Sequence, residues 1–376
     1  MQPSRNSPEE LAIAALRELF ESRGFRRTRP GRFEDYNLYA ENRNFLTSGH
    51  AITFMDMDGR LLALKSDVTL SIVKNIPDSS LSAFEKLYYI DEVYRVSPET
   101  HEYKVLSQIG VELIGPSSPL SNIEAIDLAL HSLSLIGSDF VLDVSHLGFI
   151  SGLIDSINLP VWAREQALAA VYAKSTHELK TVLENSGVCH ENMVKLLVLS
   201  EMRGPLRDML SQLSSMCVND CMHKAVQELK ELCEALNGCG YTDRLFVDFS
   251  VVGDLDYYNG LLFRGYIEGV PKAVLSGGRY DNLLRRMGKE SYAIGFGVEL
   301  SELNIHRKRT NEFDFDALII YDDGCDLSAL LAAQKNLSES GARVRLEPSS
   351  SDEKTFSPLK IYRFTQSNIL LEVPTC

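Results

Sequence analysis

The sequence has little positive charge and no long apolar run. Lysine and arginine number 38 against 52 aspartates and glutamates, so the 376-residue chain has a net charge of −14. An acidic surface repels a phosphate backbone and the longest basic runs, 26–29 and 307–309, are short, so we expect no nucleic-acid partner. No apolar run reaches the roughly 18–20 residues of a membrane span, and the N-terminus lacks the apolar core of a signal peptide. These absences predict a cytoplasmic chain without a membrane partner.

Cysteine is sparse and odd in number, which disfavours a disulfide framework. Most of the seven cysteines fall in segments with helical periodicity, as expected of reduced thiols in the cytosol. Cys217, Cys221 and His223 could share a helix face and hold a metal, but their spacing matches no common zinc motif. We therefore expect neither a metal nor another cofactor.

The length and the 44% hydrophobic content predict a globular chain of two or three domains with a large core. Mixed strand and helix patterns continue to residue 303. Between about 152 and 243 they give way to 3.6-residue periodicity with no strand signal, which predicts a helical insertion in a core spanning residues 1–303. A charged linker precedes residues 313–376, where a strand, a helix and further strands predict a small α/β unit.

Local patterns near the N-terminus give further expectations. The segment FEDYNLY, residues 33–39, has apolar residues spaced for a strand. Asp58-Gly59 predicts a hairpin turn between two strands, the second of which ends near Asp67. Asp67 can cap the helix that follows, or Asp67 and Thr69 can face the ammonium or amide of a ligand. Residue type alone favours the cap.

Two later segments place polar groups where a ligand would meet them. In YKVLSQIGVELIG, Gln108 and Glu112 lie on one face of a strand whose other face is apolar. A polar face on a central strand is costly unless a ligand or partner satisfies it, so a binding role is favoured there. In LDYYNGLLFRGY, Asn259-Gly260 predicts a hairpin with a type I′ turn. The tyrosines before that turn would line a small-ligand pocket at the strand ends.

Five segments carry a resemblance to a known family. They are LLALKSDVTLSIVKN, YRVSPETHEYKVLSQIGVELIG, LDYYNGLLF, VLSGGRYDNLL and AIGFGVEL. Together they resemble, in order, the catalytic core of histidyl-tRNA synthetases over roughly residues 8–303. The resemblance implies an α+β fold, with a class II aminoacyl-tRNA synthetase-like antiparallel sheet flanked by helices. It also implies a dimer formed through the N-terminal helix-and-strand segment.

The resemblance implies a histidine site. Most of the side chains with which these synthetases hold histidine are matched, although Asp67 stands where the family has a glutamate. The implied histidine-binding residues are Asp67, Thr69, Arg95, Gln108, Glu112, Tyr257, Tyr258 and Tyr280. The carboxylates suit an α-ammonium or an imidazole N–H, and the tyrosines would close the pocket.

The groups that would activate ATP are mostly missing. Amino-acid activation places negative charge on a phosphorus centre, and arginines must neutralise it. Arg95 is retained, but Gly253 stands where the family has an arginine. In the third motif, Glu299, Ser301 and Glu302 replace a glycine, a glutamate and an arginine. Losing one such donor costs about 10²–10³-fold in rate, so no residue is expected to be catalytic.

A synthetase-like core that keeps its histidine set and loses its ATP set resembles the regulatory subunits of ATP phosphoribosyltransferase. That resemblance implies a non-catalytic chain required by a short-form catalytic subunit in the first step of histidine biosynthesis, with histidine as feedback effector. The implied assembly is a homodimer within a hetero-octamer. The alternatives are a working histidyl-tRNA synthetase, which ATP–pyrophosphate exchange would reveal, and a histidine-sensing pseudo-synthetase with another partner.

Overall fold

The computed structural model describes residues 8–42, 51–77, 83–97, 100–251, 257–306, 313, 315–351, 356 and 358–373. These residues fall into two compact units, one of residues 8–306 and one that contains the described residues from 313 onward. None of the described helices is long and apolar enough to cross a bilayer.

A nine-stranded sheet organises the larger unit. Its strands are, in spatial order, β1 (Arg26–Arg27), β5 (Glu85–Val96), β6 (Tyr103–Gly115), β12 (Tyr292–Glu299), β11 (Leu275–Arg279), β10 (Leu261–Ile267), β7 (Phe140–His146), β9 (Leu245–Asp248) and β8 (Arg203–Pro205). Among these strands β1–β5 and β7–β9 pair in parallel, and the other neighbours are antiparallel. The predicted antiparallel sheet flanked by helices is confirmed, with two parallel pairs in addition.

Helices α1 (Pro8–Ser22), α4 (Pro119–Ile136) and α12 (Leu300–His306) pack on one face of this sheet. Helix α4 begins where the sequence supplies a cap, because the Ser118 hydroxyl accepts a hydrogen bond from the Leu120 N–H at 3.2 Å and Pro119 takes the first helical position. The helices and alternate strand residues share a large apolar core, which includes Leu16, Phe20, Ile109, Val111, Leu113 and Leu133.

Residues 147–235, all of which the structure describes, form six helices. They are α5 (Leu147–Ser156), α6 (Val161–Tyr172), α7 (Thr176–Asn185), α8 (His190–Glu201), α9 (Leu206–Met216) and α10 (Asp220–Ala235). Strand β8 lies between α8 and α9, so the expectation of no strand in this stretch was wrong. Arg203 of β8 reaches two buried carboxylates, Asp143 at 3.2 Å and Asp248 at 3.4 Å. These long-range contacts, and not a local pattern, bring the segment to the sheet edge.

The smaller unit has a four-stranded sheet of its own. Its elements are β13 (Phe315–Tyr321), α13 (Leu327–Glu339), β14 (Val344–Pro348), β15 (Pro358–Phe364) and β16 (Leu370–Val373). Strand β13 pairs in parallel with β14 and β15, and β16 adds antiparallel to β15. Ile319, Leu330 and Phe364 form its buried core. The predicted strand–helix–strand pattern with further strands is present.

A small sheet near the N-terminus confirms one local prediction and overturns another. Strands β2 (Phe33–Asp35), β4 (Leu61–Leu64) and β3 (Thr53–Met55) pair antiparallel, and the predicted turn at Asp58-Gly59 joins β3 to β4. The predicted strand over residues 33–39 was wrong after Asp35. The carboxylate of Asp35 accepts a hydrogen bond from the Asn37 N–H and caps helix α2 (Tyr36–Glu41). This cap favours the helix over the strand that the spacing of the apolar residues predicted.

The type I′ turn predicted at Asn259-Gly260 was also wrong. Asn259 does not have a positive φ, and Gly260 has a φ of 158°, far from the left-handed value that this turn requires at both positions. The Asn259 N–H donates to the Arg279 carbonyl at 3.0 Å, and the Gly260 carbonyl accepts from the Leu147 N–H at 2.8 Å. Asn259 and Gly260 therefore form backbone hydrogen bonds with the end of β11 and with the residue that follows β7. The strand predicted ahead of this turn ends in LDYY, residues 255–258. Residues 252–256 lie outside the described residues, and Tyr257 and Tyr258 are not in a strand.

The sheet face opposite α1 and α4 holds a second, smaller apolar core under α3 (Val68–Asn75) and α11 (Asp281–Arg286). A buried ion pair fixes the approach to α3. The Lys65 side chain is 0% exposed, and its ammonium donates to the carboxylate of Asp91 on β5. The Lys65 carbonyl also accepts from the Tyr94 N–H at 2.8 Å. Lys65 thereby holds the segment that leads into α3 against the large sheet.

We expect Asp91→Ala to destabilise the chain by about 3–5 kcal/mol, because the substitution leaves the buried Lys65 ammonium without its counter-charge. The free energy of unfolding in urea measures this loss. Adding Lys65→Met to Asp91→Ala removes the orphaned charge and is expected to recover part of it. Glu184→Ala, which breaks an exposed pair with Lys180, serves as the control and is expected to change stability by less than about 1 kcal/mol. An equal effect of Asp91→Ala and Glu184→Ala would contradict the assignment.

Candidate functional site

The candidate site lies on the sheet face opposite α1 and α4, over the central strands β6, β12 and β11. Strand β6 places Ile109 and Val111 in the large core. Successive side chains of a strand point to opposite faces, so Gln108, Gly110 and Glu112 point to the other side. The predicted division of this strand into an apolar and a polar face is confirmed.

Glycines on neighbouring strands make room for the polar side chains. Gly295 is the register partner of Glu112, and a Cβ at position 295 would lie 1.9 Å from Glu112 Oε2. A Cβ at Gly110 would lie 2.4 Å from the Tyr89 hydroxyl oxygen. The side chain of Glu112 therefore lies over Gly295 and that of Tyr89 lies over Gly110, and a residue larger than glycine at either position would clash with it.

Glu112 is the buried acid of the site. It is 1% exposed, the Thr69 hydroxyl donates to Oε1 at 2.6 Å, and the Tyr280 hydroxyl donates to Oε2. Burial raises the pKa of Glu112 to about 8, and the nearby charge of Asp67 adds to the rise, while the two hydroxyl donors oppose it. Near neutral pH the carboxyl group therefore holds its proton in most molecules.

Asp67 has the first of the two roles that the sequence left open. Its carboxylate accepts a hydrogen bond from the Leu70 N–H at 2.8 Å, so the predicted cap of α3 is confirmed. The same group is close enough to Glu112 to raise its pKa. Burial raises the pKa of Asp67 itself, against the Leu70 hydrogen bond and the positive charge of Arg95. The cap therefore leaves Asp67 close to Glu112, and a ligand-facing role for Asp67 stays a prediction.

Four tyrosines enclose the site. The rings of Tyr257 and Tyr258 lie 4.5 Å apart and those of Tyr257 and Tyr280 lie 5.8 Å apart, centroid to centroid. The fourth is Tyr89 of β5. Burial raises the pKa of all four phenols, and the neighbouring carboxylates add to the rise. Neutral phenols thus surround the ionisable carboxyl groups of Glu112 and Asp67.

A second group of polar side chains lies further along β6. The buried Gln108 side chain donates through Nε2 to Glu299 Oε1, and Arg95 Nη1 lies 3.5 Å from the same oxygen. Burial raises the pKa of Glu299, while the charge of Arg95 and the Gln108 hydrogen bond lower it. Gln108 and Glu112 are four residues apart on one strand, so the two ends of the site are roughly 14 Å apart along β6.

The structure brings the eight predicted site residues to this one face, and two neighbours had not been predicted. Alternation along β5 places Tyr89 on the same face as Leu87 and Asp91. Only the pairing of Tyr89 with Gly110 shows that this is the face that holds the site. Glu299 had been noted only as a replaced motif residue. Its pairing with Gln108 depends on the register of β12 against β6, which no local pattern reveals.

The other replaced motif residues have ordinary partners. The Ser301 hydroxyl accepts a hydrogen bond from the Ser107 N–H at 3.0 Å, and Glu302 forms an ion pair with Lys272 at 3.2 Å. Gly253, where the resemblance places an arginine, lies outside the described residues. The described residues contain no group of three or more histidine, cysteine, aspartate or glutamate side chains that could hold a metal ion.

The family model described as histidyl-tRNA synthetase matches residues 1–303. The ATP phosphoribosyltransferase regulatory subunit of Moorella thermoacetica is 30% identical to the chain, over 91% of the chain and 90% of its own length.

Two solved structures are similar in fold. The first is described as an ATP phosphoribosyltransferase regulatory subunit/histidyl-tRNA synthetase from Bacillus halodurans. It superposes with a TM-score of 0.79 at 21% identity and covers 96% of this chain and 97% of its own. The second is the ATP phosphoribosyl transferase (HisG:HisZ) complex from Thermotoga maritima, with a TM-score of 0.62 at 18% identity over 78% of this chain and 97% of its own.

The raised pKa of Glu112 predicts how stability depends on pH. Between about pH 4.5 and pH 8 the unfolded chain has lost this proton while the folded chain keeps it, so wild-type stability falls with rising pH relative to Glu112→Gln. The expected slope of the difference is at most about 1.4 kcal/mol per pH unit. Urea unfolding of both proteins at several pH values measures it. Glu268→Gln, at an exposed position, is the control, and its free energy of unfolding should depend on pH as that of the wild type does. The same pH dependence in Glu112→Gln as in the wild type would contradict the assignment.

Proposed function

Since the chain belongs to the family of ATP phosphoribosyltransferase regulatory subunits and has the histidyl-tRNA synthetase fold, it is a regulatory chain, and we propose that histidine regulates it from the tyrosine-lined pocket. Histidine would be the feedback effector of a separate catalytic chain in the first step of histidine biosynthesis. The eight residues at the site would bind it.

The buried carboxyl group of Glu112 carries this proposal. Each of its oxygens accepts one hydrogen bond from the protein, and a carboxylate oxygen can accept two. Acceptor capacity therefore remains for a ligand N–H, at a position where burial makes an unmatched charge costly. An imidazole N–H or an α-ammonium group supplies the matching donor.

The surrounding side chains suit the rest of the amino acid. The faces and edges of Tyr257, Tyr258 and Tyr280 offer aromatic packing for an imidazole ring. Asp67 places a second carboxylate near Glu112 for a positively charged group. Arg95 is paired with Glu299 in the free chain, and its charge also acts on Asp67 and Tyr258, so it would add attraction for the α-carboxylate of the ligand.

The proposed partner is a short-form ATP phosphoribosyltransferase chain. The Thermotoga maritima protein of similar fold is described as a HisG:HisZ complex, which supports a catalytic partner for this chain as well. We propose a homodimer of this chain within a hetero-octamer. Histidine would inhibit by binding the low-activity arrangement of that assembly more tightly than the active one, since an effector shifts an equilibrium only by its differential affinity.

We expect Glu112→Ala to weaken histidine inhibition of the assembled complex strongly while basal activation of the catalytic chain persists, because the substitution removes the ligand's acceptor at a buried position. Losing a hydrogen bond to a charged group weakens binding roughly ten- to hundredfold. The inhibition constant for histidine in the phosphoribosyltransferase assay measures the effect. Glu268→Ala, at an exposed turn, is the matched control. Unchanged inhibition of the Glu112→Ala complex would exclude this pocket as the histidine site.

Histidine binding should release a proton. Near pH 7 most Glu112 groups are protonated because the pKa is about 8, and an incoming N–H or ammonium donor favours the ionised form. Calorimetry of histidine binding in two buffers of different ionisation enthalpy should therefore show the release of about one proton per site in the wild type. The release should disappear in Glu112→Gln. Equal heats in both buffers for the wild type would show that Glu112 does not ionise on binding.

A further inference from the structure

The carboxylate of Glu228 connects helix α10 with three other elements of the larger unit. Its Oε2 lies 3.2 Å from Nε2 of His146, at the end of β7, and accepts a hydrogen bond from Asn122 Nδ2 of α4 at 3.3 Å. Its Oε1 lies 3.7 Å from Nη1 of Arg279, the last residue of β11. Nδ1 of His146 accepts from the Gly148 N–H at 3.2 Å, so the proton of the neutral ring is on Nε2 and faces Glu228. Helix α10 is thus tied to α4, β7 and β11 at one point.

Arg279 is held by two carboxylates and an aromatic ring. Its Nε donates to Asp281 Oδ2 at 2.7 Å, and its guanidinium carbon lies 4.7 Å from the centre of the Tyr292 ring. Glu228 supplies the second carboxylate, and the arginine side chain is only 22% exposed. Because a planar guanidinium group forms directed hydrogen bonds and stacks on rings, these contacts fix the place of Arg279 closely.

The carboxylate of Asp281 links Arg279 to the backbone beside the pocket. Asp281 is 5% exposed, its Oδ1 accepts from the Ala293 N–H at 2.9 Å, and its Oδ2 accepts from Asn259 Nδ2 at 3.0 Å as well as from Arg279. Tyr280 lies between Arg279 and Asp281 in the chain, and its N–H donates to the Ala293 carbonyl at 2.8 Å. The backbone on both sides of Tyr280 is therefore held by the partners of one arginine.

We propose that Glu228 is a positioning residue for the ligand pocket and that it acts through Arg279. The Arg279 side chain packs on the ring of a core residue on the α4 side of the sheet, while Tyr280, the next residue, belongs to the pocket on the opposite face. Arg279 also accepts the N–H of Asn259, the residue after Tyr258, through its carbonyl. A shift of α10 therefore displaces both pocket tyrosines.

This coupling acts in both directions. A ligand that fixes the tyrosines also favours one position of α10, and a protein that contacts α10 changes the affinity for the ligand by the same factor. The inference goes beyond the pocket itself, because it makes a helix on the other face of the sheet part of the regulation. It rests on the proposed function only for the identity of the ligand.

Hydrogen exchange of the full chain without ligand, followed by mass spectrometry, tests the contact. Glu228→Gln keeps the shape of the side chain but removes its charge. Exchange in the segments 257–262 and 280–286 should then become about two- to fivefold faster, the effect of losing a partly exposed ion pair. Glu234→Gln, the matched control, removes an exposed ion pair from the same helix and should leave both segments unchanged. Thermal unfolding shows that each variant folds.

A double variant separates action through Arg279 from an independent effect of Glu228. Arg279→Gln removes the guanidinium group and should accelerate exchange in the same two segments at least about tenfold, because a hydrogen bond between charged groups is lost. If Glu228 acts through Arg279, adding Glu228→Gln to Arg279→Gln should change exchange no further. Single effects that multiply in the double variant would overturn the proposal, and so would wild-type exchange in Glu228→Gln.

Histidine titrated calorimetrically into the same proteins connects the contact with the pocket. Glu228→Gln should raise the Kd for histidine about two- to fivefold, and Glu234→Gln should leave it unchanged. The wild-type Kd in Glu228→Gln would overturn the proposal. Absence of histidine binding to the wild type would instead refute the proposed function, while the exchange measurements would still decide whether Glu228 positions the tyrosines.

Discussion

A carboxyl group buried on a central strand is the constraint on which the rest of the larger unit depends. Glu112 fits only because its register partner is Gly295, and its burial is tolerable only because two hydroxyl groups donate to it. Those hydroxyls belong to Thr69 in the first turn of α3 and to Tyr280 just before α11. Both helix starts must therefore be held accurately, and the buried Lys65–Asp91 pair holds the first of them.

The charged groups at the two ends of the site are arranged differently. At one end Glu112 has spare acceptor capacity and a raised pKa, so the proposed ligand would find a hydrogen-bond acceptor there. At the other end the Arg95 guanidinium already faces Glu299. An enzyme reserves such donors for charge that develops in a transition state. Here Arg95 is already paired with Glu299 in the free chain, which fits a regulatory subunit better than an enzyme.

Much of this site was readable from the sequence where the information is local. Alternation along β6 placed Gln108 and Glu112 on one face, and residue type identified Asp67 as a helix cap. Features that depend on register were not readable. The contact between Gln108 and Glu299 joins residues 191 positions apart, and it exists only because β12 pairs with β6 in one register. The Asn259-Gly260 turn failed for the same reason, since distant backbone groups and not local preference set its φ angles.

The proton on Glu112 links ligand binding to the stability of the pocket. A protonated carboxyl group costs less to bury than its ionised form, whose charge has to be compensated by hydrogen-bond donors. Thr69 and Tyr280 supply part of that compensation in the free chain, and a ligand ammonium or imidazole N–H would complete it. Ligand binding would then tighten the contacts between α3, β6 and the start of α11. A regulatory chain can pass an effector's binding free energy to a partner only through elements whose packing differs between the free and the bound state, and these three elements meet at Glu112.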